Sequence, residues 1–204
     1  MKKLLYILIM CMVTLVAAAQ DQASIIATIN KHNAAMKTME CDFVQTKHLK
    51  MLNDKMVSQG KMYYQQTSKL RWEYTTPYTY TFILNDNKVM LKNSRRTDVI
   101  DVNQNKMFKE IARIMMNSIV GKCLTDDKSF KTTIKETASE WIATLIPQKK
   151  DMKQMWTKLI LHFDRTKNTV VQVEMHEKSG DYTVIELKNN KLNKPIDAKI
   201  FNVN

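Results

Sequence analysis

Glycine, proline and cysteine are scarce in this chain of 204 residues, which contains three of each. Gly60, Gly121 and Gly180 are isolated, so no glycine-rich loop is present to hold a phosphate or a dinucleotide. No CxxC pair and no HExxH motif occurs, which removes the support for zinc or thiol redox chemistry. These absences exclude nucleotide-binding enzymes of the P-loop and Rossmann kinds.

Motifs of hydrolytic enzymes are also missing. The chain has no G-x-S-x-G sequence for a serine nucleophile. Acidic pairs such as Asp126-Asp127 and Glu136/Glu140 fall in loops or at strand ends, where they are interpreted as solvated surface groups. Acids for glycoside cleavage converge only in space, so a secreted hydrolase stays open as an alternative. We predict no catalytic residue, no metal and no cofactor.

The N-terminus has the pattern of a secretory signal peptide, with two lysines, an apolar run and three small residues (Lys2-Lys3, Leu4–Val16 and Ala17-Ala18-Ala19). The run is shorter than the roughly 20 residues that a membrane-spanning helix needs. The sequence therefore predicts that residues 1–19 are removed and that residues 20–204 form one exported, soluble domain. Cys11 lies inside the apolar run, and we expect it to be lost with the leader rather than acylated.

The net charge of +12 leaves several kinds of partner open. Export disfavours nucleic acid as a partner, and the basic residues are thinly spread. A solvated surface, or contact with acidic head groups or an acidic partner, accounts for the surplus.

Periodicity predicts a strand-rich chain with two amphipathic helices. One helix is expected from Asp21, its N-cap, with apolar residues recurring up to Met39, and another over Met107 to Val120, ending at Gly121. A short helical turn is expected at Asp151 to Trp156. Twelve of the remaining segments have strand character, the last of them a brief one in the tail (41–47, 57–64, 69–74, 78–84, 88–93, 99–102, 130–135, 141–146, 159–163, 170–176, 182–187 and 198–201), and we expect ten or eleven strands from them.

The strands do not alternate with helices, so the predicted fold class is mainly β (α+β) with an antiparallel sheet. A sheet of this width curls, because open twisted sheets rarely stay flat beyond about ten strands. We expect a strongly curved, incompletely closed barrel whose concave face is covered by the helices.

Soft apolar side chains are abundant, with fifteen methionines in the whole chain. Methionine repacks easily around variable apolar ligands, although ordinary core packing explains the same excess. Met115-Met116, between Ile111 and Ile119, is the best candidate for a cluster that covers a cavity. Cys41 and Cys123 are expected either to pair or to be buried as free thiols.

Four segments resemble motifs of the periplasmic lipoprotein carrier family of the LolA type. Phe43-Val44-Gln45 resembles its F-x-Q strand, and Gly60–Tyr64 resembles its G-x-[FL]-[WY] strand. The segment Lys69–Tyr78 is similar to K-[FL]-R-W-x-Y-x-x-P-[YF], and Leu145-Ile146-Pro147 resembles L-x-P. The resemblance covers nearly the whole mature chain.

This resemblance implies a monomeric periplasmic carrier whose apolar cavity holds the acyl chains of lipoproteins. Such a carrier receives cargo from an inner-membrane ABC-type transporter and passes it towards the outer membrane, where an acceptor is possible. Gln66-Thr67 stands where some members have Arg-Pro, and Arg71 is not equivalent to that arginine. A related periplasmic lipid-binding or envelope-stress-sensing protein is the alternative reading.

The candidate cavity residues come from the predicted strands and the second helix. They are Phe43, Tyr63, Leu70, Trp72, Tyr74, Ile111, Met115, Met116 and Ile119, while Arg71 and Pro77 are assigned to the family motif only.

Overall fold

The computed structural model describes residues 21–203, and for residues 106–108, 110 and 111 it describes only the backbone. The predicted signal peptide and Cys11 lie outside the described residues. Within them, no helix is long and apolar enough to cross a membrane.

Eleven antiparallel strands make up one sheet in the described part of the chain. Their bounds are β1 Thr38–Leu49, β2 Asp54–Gln65, β3 Lys69–Thr76, β4 Tyr80–Asn85, β5 Lys88–Asn93, β6 Thr97–Asp101, β7 Phe130–Glu136, β8 Glu140–Pro147, β9 Trp156–Asp164, β10 Val170–Glu177 and β11 Tyr182–Leu192. The predicted fold class is confirmed.

The sheet is not closed. Its strand order is β6-β5-β4-β3-β2-β1-β11-β10-β9-β8-β7, so sequence neighbours pair throughout except where β1 meets β11. The two edge strands, β6 and β7, are consecutive in the chain. Helix α2 (Lys106–Ile119) and a short 3-10 helix (Lys122–Thr125) connect them.

Alternation of side chains gives the sheet one apolar face and one mixed face. In β3, Leu70 and Trp72 are buried, whereas Arg71 and Glu73 between them are only half-buried. Strand β9 repeats the pattern with Leu159, Leu161 and Phe163. Because side chains on a strand alternate between faces, these residues all point to the same concave side and form the main core.

The convex side carries a smaller core, formed where the C-terminal tail packs on the sheet. Ile83 and Met90 pack there against Phe201 and Val203. The tail contains a 3-10 helix (Ala198–Phe201), so the strand predicted over residues 198–201 is wrong. The physical reason is local capping, since the Asp197 carboxylate accepts a hydrogen bond from the Lys199 amide at 2.9 Å and favours a turn.

The helices differ in length from their predictions. Helix α1 covers residues 21–34, so it already includes Asp21, and it ends before Met36 and Met39. Met39 belongs to β1, where it pairs with Tyr64 and Leu192. Its burial fits the strand alternation of Met39, Cys41 and Phe43 as well as it fits a helical spacing, and strand pairing decides between the two. Helix α3 (Lys150–Met155) matches the predicted turn.

Candidate functional site

An apolar cavity of about 390 Å³ lies between the concave face of the sheet and α2. Eight strands and the helix contribute to its walls. The lining residues are Gln45, Met62, Trp72, Tyr74, Tyr80, Phe82, Leu91, Ile114, Met115, Ser118, Ile119, Trp156, Leu159, Val170, Val173, Met175, Ile185 and Leu187.

The cavity demonstrates how strongly the sheet curves. Leu91 stands on β5, next to one edge strand, and Leu159 stands on β9, two strands from the other edge. Both side chains line the same cavity. The sheet must therefore wrap around it, and its volume falls within the range of small-molecule pockets.

The described lining contains no charged side chain, and its polar groups are few. The Tyr74 hydroxyl donates a hydrogen bond to Gln45 Oε1 at 3.0 Å. Burial raises the pKa of Tyr74 above its ordinary value, so the hydroxyl remains protonated at neutral pH. Such a wall can hold alkyl chains by the hydrophobic effect, with one hydrogen-bonded pair at its rim.

The cavity opens at one end of the barrel. Its half-buried lining residues include Gln45 and Met175 near the ends of β1 and β10, and Tyr74 near the end of β3. Tyr80 and Trp156 begin β4 and β9. In an antiparallel sheet these positions share one end, which we call the cavity mouth.

The predicted site residues fall into three groups. Trp72, Tyr74, Met115 and Ile119 line the cavity. Phe43, Leu70 and Met116 are buried in the core beside it without lining it. Ile111 belongs to α2, but its side chain lies outside the described ones.

The expectation that Tyr63 faces the cavity must be corrected. Tyr63 packs with the convex core, because it lies between Met62 and Tyr64, whose side chains point to the concave side. Period-two alternation then directs Tyr63 to the opposite face.

The two family-motif residues also lie outside the cavity. Arg71 is on the convex face, where its Nε contacts Glu73 Oε2 at 2.9 Å and its Nη1 donates to the Ile200 carbonyl at 3.2 Å. It therefore holds the C-terminal tail against the sheet. Pro77 follows the last residue of β3 and ends that strand.

Sequence reasoning missed more than half of the lining. Most of the missed residues lie on strands that were predicted, where some alternate with polar neighbours, as Val173 and Met175 do on β10. Ile114 and Ser118 lie on the predicted second helix, and Trp156 begins β9 where a helical turn was predicted. Alternation could have grouped the strand residues by face within each strand. It could not say which face of a distant strand meets Trp72, because that depends on the register between strands.

An ion pair ties α2 to the segment that follows it. Arg113 Nη1 lies 2.6 Å from Asp126 Oδ2, and Arg113 Nη2 donates to Ser129 Oγ at 3.2 Å. Burial acts to raise the pKa of Asp126, but hydrogen bonds from Ser129 and Arg113 outweigh it and hold the pKa below the ordinary value. The Arg113 side chain thus attaches α2 to the residues that precede β7.

The two cysteines that the structure describes, Cys41 and Cys123, are buried and form no disulfide. Burial raises the pKa of each thiol to about 12. Both cysteines are therefore free, protonated thiols in the core. The alternative prediction, a disulfide between them, is not supported.

Three histidines that are distant in sequence meet on the outer face of the sheet. His162 Nδ1 lies 2.9 Å from Glu140 Oε2, and Glu174 lies between His162 and His176, at 3.2 Å and 3.0 Å. Tyr182 stacks on both His176 and His48. Within residues 21–203, no cluster of three or more ligating side chains has a geometry that could hold a metal.

A family model described as outer membrane lipoprotein carrier protein LolA matches residues 34–204. The chain belongs to the LolA family. Members of this family are carriers rather than enzymes, so the hydrolase alternative falls away. A search of curated proteins found no match.

Solved structures share the LolA fold at low sequence identity. A DUF1329 family protein from Desulfovibrio piger has a TM-score of 0.52 and 10% identity, over 91% of this chain and 97% of its own. A LolA superfamily protein from Nitrosomonas europaea has a TM-score of 0.50 and 11% identity, over 88% and 96%. The MucA/MucB complex from Pseudomonas aeruginosa has a TM-score of 0.52 and 8% identity, over 88% and 60%.

Proposed function

We propose that this LolA family protein is a periplasmic carrier that shields the acyl chains of lipoproteins while they move from the inner towards the outer membrane. The single observation that carries the proposal is the uncharged cavity between the curved sheet and α2. Each methylene group that leaves water for such a cavity gains about 0.8 kcal/mol. Without a cavity, an acylated protein would not cross an aqueous gap at a useful rate.

The wall is built for ligands of variable shape. Met62, Met115 and Met175 contribute from two strands and the helix, and methionine adapts its shape at little cost. Tyr74 and Trp156 are half-buried lining residues at the mouth. We assign Trp72, Tyr74, Met115 and Ile119 to acyl-chain binding, with Tyr80, Leu91 and Val173 as additional wall residues.

We infer that movement of α2 widens the opening of the cavity for entry and release of acyl chains. Side chains and the cavity separate the backbone of α2 from the sheet. The backbone of α2 lies close to the 3-10 helix that follows it. The Arg113–Asp126 pair sits on that same side. We propose that α2 swings as a lid about this attachment. The donor would be an ABC-type transporter in the inner membrane, and an acceptor would lie at the outer membrane.

Binding of a triacylated lipopeptide to the purified chain without its leader tests the proposal. Two tryptophans line the cavity, so acyl chains that enter should change the intrinsic fluorescence. Met115→Asp places a charge in the wall and should weaken binding at least tenfold. Asn117→Asp adds the same charge to the same helix at a position outside the lining and should bind normally. Equal binding by both variants would remove the cavity from the function.

Depletion in the cell supplies the second test. Loss of the carrier should leave lipoproteins in the inner membrane. The alternative is a stress-sensing protein that acts through a protein partner, and the fold shared with MucB, which was solved in complex with MucA, is compatible with such a partner. The match covers 60% of the length of the chain solved in that complex. A sensor would leave lipoprotein sorting intact on depletion and would alter an envelope-stress response instead.

A further inference from the structure

At the cavity mouth the β1–β2 hairpin extends past β3, while on its other side the β10–β11 turn lies beside it, with Gly180 against the Lys50 side chain. The β1–β2 ladder continues to the pair Leu49 and Asp54, whereas the β2–β3 ladder begins only at Gln59 and Thr76. Residues 54–58 of β2 thus have no partner on β3, a projection of about 17 Å at the usual rise per residue. On the other side, the β1–β11 ladder stops at His48 and Tyr182.

This projecting tip exposes apolar side chains in a way that the rest of the described chain does not. Met51 is 93% and Leu52 71% exposed, and they are the two most exposed large hydrophobic residues within residues 21–203. Met56 at 52% and Val57 at 43% are also exposed, on opposite faces of the projecting part of β2. We call Met51, Leu52, Met56 and Val57 the apolar tip.

Lysines surround the apolar tip. Lys50 and Lys55 have no carboxylate partner in the described part of the chain, whereas Lys47 is paired with Glu177 at 3.1 Å. Of the nearby acids, Asp54 is exposed and accepts a hydrogen bond from the Lys55 amide, and Asp181 accepts one from the Lys50 amide. The tip therefore presents free ammonium groups beside bare apolar side chains.

We propose that the apolar tip inserts into the interfacial layer of an anionic lipid bilayer and holds the cavity mouth against the membrane surface. Apolar residues flanked by lysines are the pattern of a reversible interfacial anchor. Lysine stems lie along apolar surface while their ammonium groups reach acidic head groups. Four side chains at a hairpin end are far too few for a stable protein interface of 1,200 Å² or more, which disfavours a protein partner.

The consequence for transfer is geometric. Gln45 lies on β1, which leads into the tip, and Tyr74 lies at the same end of the sheet on β3, so docking would bring the opening to the layer from which acyl chains emerge. The role of docking in cargo transfer rests on the proposed carrier function. Binding of the tip to a membrane does not rest on it, so experiments can contradict either proposal without the other.

Co-sedimentation with vesicles tests the proposal on the purified chain without its leader. Vesicles of phosphatidylethanolamine with phosphatidylglycerol should pellet the protein, and vesicles of phosphatidylcholine should do so much more weakly. Met51→Ser/Leu52→Ser should weaken partitioning at least tenfold. Lys50→Gln/Lys55→Gln should weaken it about tenfold and remove most of its salt dependence. Absence of binding to the anionic vesicles overturns the proposal.

A matched control variant distinguishes binding through the apolar tip from nonspecific hydrophobic binding to the vesicles. Val99→Ser/Ile146→Ser removes two exposed apolar side chains from β6 and β8, away from the tip, and should pellet like the unaltered protein. An equal loss in this control, or no loss in Met51→Ser/Leu52→Ser, overturns the proposal. Lipopeptide binding by the tip variant should be unchanged, because its residues do not line the cavity.

A fluorescent label gives direct evidence of insertion. Leu52→Cys can be labelled selectively with a polarity-sensitive dye, because Cys41 and Cys123 are buried. Its emission should shift to the blue on addition of the anionic vesicles and should be quenched by lipids that carry a quencher near the head group. An unchanged spectrum with bound protein would show that the tip stays in water, which contradicts insertion.

Discussion

The ring of Phe43 stacks on the indole of Trp72, with centroids 4.3 Å apart, although strand β2 separates the two residues. The residue of β2 that pairs with Phe43 is Gly60. A side chain there would reach within 2.7 Å of the Phe43 ring. The absence of a Cβ at Gly60 therefore lets an aromatic pair bridge three strands below the cavity.

Gly60→Ala should destabilise the protein strongly. The added Cβ would lie 1.9 Å from the Glu73 carbonyl oxygen as well as against Phe43, so the backbone has to shift. We expect a loss of about 3 kcal/mol in the free energy of unfolding, at the upper end for overpacking. Urea denaturation measures it. Gln59→Ala, at the exposed neighbouring position, should change stability by under about 0.5 kcal/mol.

Leu70→Ala and Trp72→Ala should separate core packing from ligand binding. Both side chains are buried on β3, but only that of Trp72 lines the cavity. Leu70→Ala should cost about 2–5 kcal/mol of stability and leave lipopeptide affinity unchanged at temperatures where the variant is folded. Trp72→Ala should lose stability and affinity together. An affinity loss of equal size in both variants would contradict the cavity role of Trp72.

The two thiols should be unreactive in the native protein. Their burial and their pKa of about 12 leave almost no thiolate near pH 8. We expect no labelling by a water-soluble thiol reagent under native conditions and two labelled cysteines per mature chain in denaturant. Fast native labelling of either thiol would show that the core around it opens readily.

Acid should loosen the attachment of α2. The pKa of Asp126 lies below its ordinary value of 3.8, so its contribution is present at neutral pH and is lost as pH falls through the lowered pKa. Hydrogen exchange of α2 amides should show full protection near pH 6 and reduced protection only once the pH falls below 3.8, the ordinary pKa of the carboxyl. Asp126→Asn should be less protected at pH 6 and should respond less to acid. The same pH response in this variant would assign the effect to another group.

Locking α2 to the sheet should block uptake of cargo. In a chain without Cys41 and Cys123, cysteines are placed at Met115 and, in turn, at Leu91 or Val173, which line the same cavity. The oxidised protein should fail to load lipopeptide and should recover on reduction. Loading at the normal rate while the crosslink is intact would show that acyl chains do not enter beneath α2.

The elements of this fold could be predicted from its sequence because most strands carry their own alternation. Lys69–Thr76 has apolar residues at every second position between a turn and a proline, and no other element explains that pattern. The ends of the helices and strands were harder to predict where the same residues fit both a helical and a strand period. Met36 and Met39 fit a helix that extends past residue 34, and the pairing of Met39 with Tyr64 and with Leu192, which are distant in the chain, decides against it.

The site was less accessible to prediction than the fold. Trp72, Tyr74 and Met115 could be proposed because their segments carry strong local patterns. Their partners on β9, β10 and β11 join them only through the curvature of the sheet and the β1–β11 register, which involve residues more than 130 positions apart. Tyr63 was misplaced because its position in the alternation, between Met62 and Tyr64, directs its side chain to the convex face.

The central position of β1 in the sheet has a consequence for synthesis. One of its neighbours, β2, follows immediately, but the other, β11, is the last strand of the chain. Until residues 182–192 emerge, β1 presents an unpaired edge and the two halves of the apolar face cannot cover each other. An unpaired edge beside an uncovered apolar surface invites aggregation. A growing chain of this protein therefore needs protection until its final strand is complete.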